Sequence, residues 1–119
     1  MEAKVEAVAP VRVDLAGGWT DVPPYTSDFG GEVVNFTINK YVKATTDGTS
    51  HSFSFGVPSG SGLGSSGAMN VARVALSSSD IFPEDIAEAA FQAEAESGNL
   101  GGRQDQWASA LGGFNHLIF

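Results

Sequence analysis

Cysteine is absent from the 119 residues. That excludes a thiol nucleophile, a zinc finger and a disulfide framework, and it suits a reducing cytoplasm. Basic residues are scarce. Six Lys and Arg face fourteen Asp and Glu, for a net charge of −8. No basic patch is available to neutralise phosphates, so we expect no nucleic-acid partner. Long apolar runs are also missing, since none approaches the roughly 18 residues of a membrane span. The N-terminus, MEAKVEAVAPVRV, lacks a basic head followed by an apolar stretch, so we expect neither a signal peptide nor a membrane partner. There is no fixed repeat period.

What is present is one domain's worth of chain, long enough for a real core and too short for two full domains. Hydrophobic residues at 42% and charged residues at 17% read as globular. Fifteen glycines are clustered, at Gly17-Gly18, Gly30-Gly31, Gly60 to Gly67, Gly98 to Gly102 and Gly112-Gly113. Lys4 to Leu15 alternates and predicts a strand or strand pair. Glu32 to Thr46 is rich in Val, Ile, Thr, Phe and Tyr and gives the strongest strand signal. Asp47-Gly48 reads as a hairpin turn, with His51 to Phe55 returning.

The period then changes. Ala68, Val71, Ala72 and Ala75 predict a helix over Ser66 to Ser77. A second is expected from Pro83 to about residue 97, capped by Ser79 or Asp80, with Ile86, Ala89, Ala90 and Ala93 as its apolar stripe and Gly98 ending it. A third runs from about Arg103 to Leu111, and Phe114 to Phe119 closes as a strand. The fold class is therefore α+β: a mainly antiparallel sheet with helices packed on one face.

Three segments carry chemistry. Pro58 to Ala68, PSGSGLGSSGA, is a Gly-rich loop feeding a helix, where backbone N–H groups and the helix dipole favour a phosphate. Ser65 and Ser66 add hydroxyls. It is neither a Walker loop nor a dinucleotide fingerprint; the structural alternative is a tight loop with a Ser cap. Ala9 to Tyr25, APVRVDLAGGWTDVPPY, places Arg12 and Asp14 on a strand and Trp19 and Asp21 after a glycine break. An Asp beside an aromatic ring suits a sugar; the alternative is an exposed Asp in a loop. Gly98 to Phe119 puts Asp105 in the first turn of a helix, with Gly101-Gly102 allowing close approach. Glu94 lies at the edge of an apolar stripe, at a buried site or on a solvated face.

Together, and in this order, the segments resemble the GHMP sugar kinases. The resemblance rests on Ala9 to Asp21, on Gly60 to Ser66, and on Gly102-Arg103-Gln104-Asp105-Gln106 followed by Gly112-Gly113-Phe114-Asn115, about half the chain. It implies that Gly60, Ser61, Gly62, Leu63, Gly64, Ser65 and Ser66 wrap the phosphates of ATP. It implies that Ser66 and Glu94 hold Mg²⁺. Asp105 would act as a base, or as a fixed negative charge orienting a sugar hydroxyl, and Arg12 would stabilise the transferring phosphoryl group. Asp21, with Trp19 and Gly102, would bind the sugar.

Members of this family are longer. They carry a second domain, and a longer stretch where only 20 residues here separate Asn39 from Gly60. We therefore expect residues 1–119 to form a single shortened N-terminal domain, with the C-terminal domain absent. Phe114, Leu117, Ile118 and Phe119 lead us to expect a homodimer or larger homo-oligomer, with exchange of the C-terminal segment between copies as one route. The expected activity is ATP-dependent phosphoryl transfer to a sugar or sugar-phosphate hydroxyl. The alternatives are a nucleotide-, phosphate- or sugar-binding module without turnover, and an inactive folded fragment that oligomerises.

Overall fold

The computed structural model describes residues 5–77, 82–98 and 101–119. The alternating N-terminal segment forms one strand, β1 (Val5–Ala16), rather than a pair. After it comes a single helical turn, α1 (Tyr25–Phe29), which the sequence reading does not contain. None of its residues is buried, so no apolar period marks it. The β-branched run forms β2 (Glu32–Thr46), and β3 (His51–Phe55) returns along it. Asp47 closes the hairpin by accepting the N–H groups of Thr49 and Ser50, each at 2.9 Å. Then follow α2 (Ser65–Ser77), α3 (Pro83–Glu96), α4 (Gln104–Leu111) and β4 (Phe114–Ile118).

Every strand pairing is antiparallel, and β2 is the centre of the sheet. β1 runs along one edge of it. β3 and β4 share the other edge, at Val42–Thr46 and Glu32–Phe36 respectively. The core joins Ala9, Val11, Val42 and Ala44 of the sheet to Ala68, Val71 and Ala72 of α2 and Ala90 of α3. These side chains are small, so helix and sheet approach closely. α2 and α4 rest on β1 and β2, and α3 packs across both helices.

α3 is rotated from the expected stripe. It buries Ala87, Ala90 and Glu94, while Ala89 is exposed. A polar network around Glu94, described below, occupies the face that apolar spacing alone assigns to alanine. Ser79 and Asp80, expected as caps, lie outside the described residues; Phe82 precedes the helix, with Pro83 in its first turn. Gly98, at φ +93°, ends α3 by donating its N–H to the Ala95 carbonyl at 3.0 Å. Among the described residues no helix is long and apolar enough to cross a membrane.

Candidate functional site

The register of β1 against β2 slips between Pro10 and Arg12. Strand side chains normally alternate between faces, yet the consecutive residues Val11 and Arg12 are both buried. The irregularity turns Arg12 toward the helices. There its Nε donates to Asp105 Oδ1 at 2.9 Å, and Nη2 lies 2.6 Å from the same oxygen. Nη1 donates to the Gly62 carbonyl at 2.9 Å, and the Arg12 backbone N–H donates to the Leu63 carbonyl at 2.9 Å. One residue thus joins β1, the Gly-rich loop and the first turn of α4.

Glycine is needed here for two distinct reasons. Gly60, Gly62 and Gly64 have φ of +76°, +77° and +71°, backbone that L side chains rarely adopt. Gly67 is needed for space: a Cβ there would stand 2.5 Å from Asp105 Cβ, so α2 and α4 meet on a bare backbone. Among the described residues, no backbone N–H from Ser61 to Ser66 donates to another residue. These are the groups available to an anion at the start of α2.

Asp21 is buried and does the work of a helix cap from a distance. Its Oδ2 accepts the Gln104 N–H at 3.2 Å, at a helix start where Arg103 supplies no side-chain cap. A Cβ at Gly102 would fall 1.9 Å from that oxygen. Trp19 is 81% exposed and sits at φ +75°, alone among the described non-glycine residues in that region. Strained backbone of this kind concentrates at functional sites.

Glu94 is buried among amides. Asn70 Nδ2 donates to Oε1 at 2.7 Å, and Gln106 Nε2 donates to Oε2. Desolvation pushes this carboxyl above the usual carboxylate range; the two amides oppose the shift, and the nearby Asp105 charge adds to it. Gln106 is only 2% exposed and is the largest fully buried side chain; its Oε1 has no hydrogen-bond partner among the described residues. Such groups are rare in folded proteins and call for an explanation.

These residues surround one cleft of about 250 Å³. Of the residues expected from the sequence, Arg12, Trp19, Asp21, Ser66, Glu94, Gly102 and Asp105 line it. Gly60, Ser61, Gly62, Leu63, Gly64 and Ser65 do not. Gly62 and Leu63 reach it only through their carbonyls on Arg12, and Leu63 packs against the core. Asp14 and Gln106 line the cleft with no role assigned from sequence, and Asn70 holds Glu94 beneath it. Polar residues in a helix or strand read as a solvated face, and only the glycine spacing around them marked a site.

The donor set fits a hard cation in one way. Among the described residues no three His, Cys, Asp or Glu side chains could hold a metal by themselves. Ser66 and Glu94 offer a hydroxyl and a carboxylate, the pair of oxygens that suits Mg²⁺ when nucleotide phosphates supply the rest.

Residues 32–113, more than half of the chain, match the family model described as GHMP kinases N terminal domain. A D-glycero-alpha-D-manno-heptose 7-phosphate kinase of Campylobacter jejuni is 28% identical across 97% of this chain and 50% of its own length. That alignment covers 171 residues, more than the chain contains, so the relative carries inserted segments. The L-fucokinase/L-fucose-1-P guanylyltransferase of Bacteroides fragilis is 63% identical over 30 residues, 25% of this chain and 3% of its own. The crystal structure of a D-glycero-D-manno-heptose 1-phosphate kinase from Bacteroides thetaiotaomicron superposes with a TM-score of 0.82 at 26% identity, covering 98% of this chain and 56% of the other. The chain thus spans about half the length of the heptose kinases it matches. On the family match, its antiparallel sheet with helices and the superposition, this chain belongs to the GHMP kinase N-terminal domain family.

Proposed function

We propose that the cleft is the catalytic half-site of an ATP-dependent sugar kinase. The observation that carries this reading is Arg12, which ties the Gly-rich loop to Asp105 within one hydrogen-bond network. Phosphoryl transfer depends on positioning and charge stabilisation more than on covalent chemistry, and this network positions both partners. Nucleotide phosphates would lie on the free N–H groups of residues 61–66 and the start of α2. Ser66 and Glu94 would hold Mg²⁺, which would supply charge neutralisation on those phosphates.

The sugar would occupy the opposite side, between Trp19, Asp21 and Gly102. Its hydroxyl oxygen attacks the terminal phosphorus, the bond to ADP breaks, and the hydroxyl proton passes to Asp105. Arg12 holds the Asp105 carboxylate in place through that step and adds positive charge beside the transferring group. The strongest test is Asp105→Asn. Turnover in a coupled ADP assay with a sugar panel should fall on the order of 10²–10⁴-fold, the usual contribution of a positioned base. Calorimetric affinity for Mg-ATP should hold. Undiminished turnover in the variant would end the catalytic assignment.

A second reading is a nucleotide- or sugar-binding module without turnover, in which Arg12 and Asp105 hold each other as a structural ion pair. It expects Mg-ATP binding with no sugar-dependent release of ADP.

A further inference from the structure

Two carboxamides outside the cleft fix the direction of a third inside it. Gly112 and Gly113 lead from α4 into β4. This turn is tied to β2 twice: the Thr37 N–H donates to the Gly113 carbonyl at 2.9 Å, and the Gly113 N–H donates to Thr37 Oγ1 at 2.8 Å. Asn115 Nδ2 donates to the Gly112 carbonyl and to Asn35 Oδ1, each at 3.2 Å. Asn35 stands opposite Asn115 in the register of β2 and β4 and is 0% exposed. Its Nδ2 donates to Gln104 Oε1 at 3.4 Å. Gln104 lines the cleft, and its backbone N–H is taken by Asp21. Its Nε2 donates to no described residue and is not sealed from solvent.

We propose that Asn115 and Asn35 form a positioning relay that commits Gln104 to act as a hydrogen-bond donor in the cleft. A backbone carbonyl only accepts, so the Asn115 atom that faces Gly112 must be its NH2. One proton of that group serves Gly112 and the other serves Asn35, which must therefore present Oδ1. Asn35 Nδ2 is then left for Gln104, which must present Oε1 and keeps both Nε2 protons for the cleft. Asn35 meets no bulk solvent that could exchange its partners. Reversing any one amide would set two NH2 groups or two oxygens against each other in a buried site. The relay gives a use to Gly112-Gly113-Phe114-Asn115, a segment that does not line the cleft. It stands without the kinase reading above; the ligand that takes the Gln104 bond rests on that reading, since Gln104 lines the cleft next to Asp105.

The test follows the side-chain NH2 groups of the isotope-labelled 119-residue chain by nuclear magnetic resonance. In the wild type, the Gln104 NH2 should exchange with solvent about tenfold faster than those of Asn35 and Asn115, the protection that one hydrogen bond of ordinary strength gives. Slower exchange at Gln104 than at Asn35 would overturn the relay without any variant. Asn115→Asp offers Asn35 an acceptor in place of a donor, so Asn35 and Gln104 should both turn, and the Gln104 NH2 should gain about tenfold protection. Unchanged Gln104 exchange in a folded Asn115→Asp chain would also overturn the relay. The donor role is read by titrating the sugar panel of the coupled assay in the presence of a Mg-ATP analogue. At least one sugar should shift and protect the Gln104 NH2. Gln104→Glu, whose carboxylate still accepts from Asn35, should weaken that sugar about tenfold. Sugars that bind without moving this resonance would overturn the donor role and leave the kinase reading standing. Failure of every sugar, with the nucleotide bound, would overturn the donor role and the acceptor side of the cleft together. Failure of both ligands would overturn the kinase reading, with the relay decided by the exchange rates alone.

Discussion

Burial raises the Glu94 carboxyl above its ordinary value near 4.5, and this has a consequence for stability with a definite sign. Below 4.5 the group is protonated in both the folded and the unfolded chain, and it costs nothing. Between 4.5 and the higher folded value, the folded state binds the extra proton, so stability falls as pH rises. Above the folded value the penalty is complete. Glu94→Gln removes the charge and keeps the shape. Gln106 can turn its amide so that Oε1 accepts a hydrogen bond from the new side chain. Thermal melts of both proteins from pH 4 to 8 should coincide at the acid end, with the variant melting higher at neutral pH. A wild type that stays the more stable across the range would show that the amides fully compensate the buried charge. The same variant should lose Mg²⁺ dependence of nucleotide binding, because the stabilising change removes a carboxylate that the proposed chemistry uses.

At the scale of elements, two glycines in one segment should respond differently. Gly67→Ala places a Cβ 2.5 Å from Asp105 Cβ, so α2 and α4 must move apart. Overpacking of this kind costs about 1–3 kcal/mol, which urea unfolding measures. Gly62→Val meets open space, with nothing within 4 Å, but at φ +77°. Its cost is backbone strain, also on the order of 1–3 kcal/mol, and it should fall on loop shape and hence on Mg-ATP affinity. Intact nucleotide affinity in Gly62→Val would reduce the loop to a structural role.

The contrast marks what was legible. The Gly/Ser run before a helix, the β-branched strand and the change of period were readable because each is a local pattern. The slip that turns Arg12 inward was not, because it arises from pairing with Thr37 and Tyr41 of β2, distant in the chain. The rotation of α3 was hidden for a similar reason: its buried face carries Glu94, held by Asn70 and Gln106 from two other helices. The expected stripe of Ile86, Ala89, Ala90 and Ala93 follows apolar spacing, and no apolar rule anticipates a buried carboxylate. Asp21 could be read as a site residue beside Trp19, but its bond to the start of α4 spans 83 positions and has no local signature.

At the scale of the whole molecule, one face of the sheet is left uncovered among the described residues. Phe36 pairs with Phe114 and Val34 with His116 across β2 and β4, and Glu32 pairs with Ile118. These residues share the face opposite Val33 and Asn35, which are buried. Phe114 and Ile118 are 72% and 71% exposed, and the rings of Phe36 and Phe114 stack at 6.0 Å. β4 itself is paired within its own chain, and Phe119 exchanges backbone hydrogen bonds with Gly31 at 2.7 and 3.3 Å. Exchange of the terminal segment between copies is therefore not needed to satisfy it, and association would use the open apolar face. Each large side chain covered there contributes about 1.5–3 kcal/mol. The net charge of −8 opposes association, but screening at physiological ionic strength limits repulsion to about 8 Å. We expect the 119-residue chain to sediment as a dimer or larger at micromolar concentration, more strongly as salt rises. The double change Phe114→Lys and Ile118→Lys adds charge to exposed positions without touching the cleft, and it should return the 12.3 kDa monomer. A wild-type chain that already sediments at that mass would show that the exposed rings of β2 and β4 do not drive self-association.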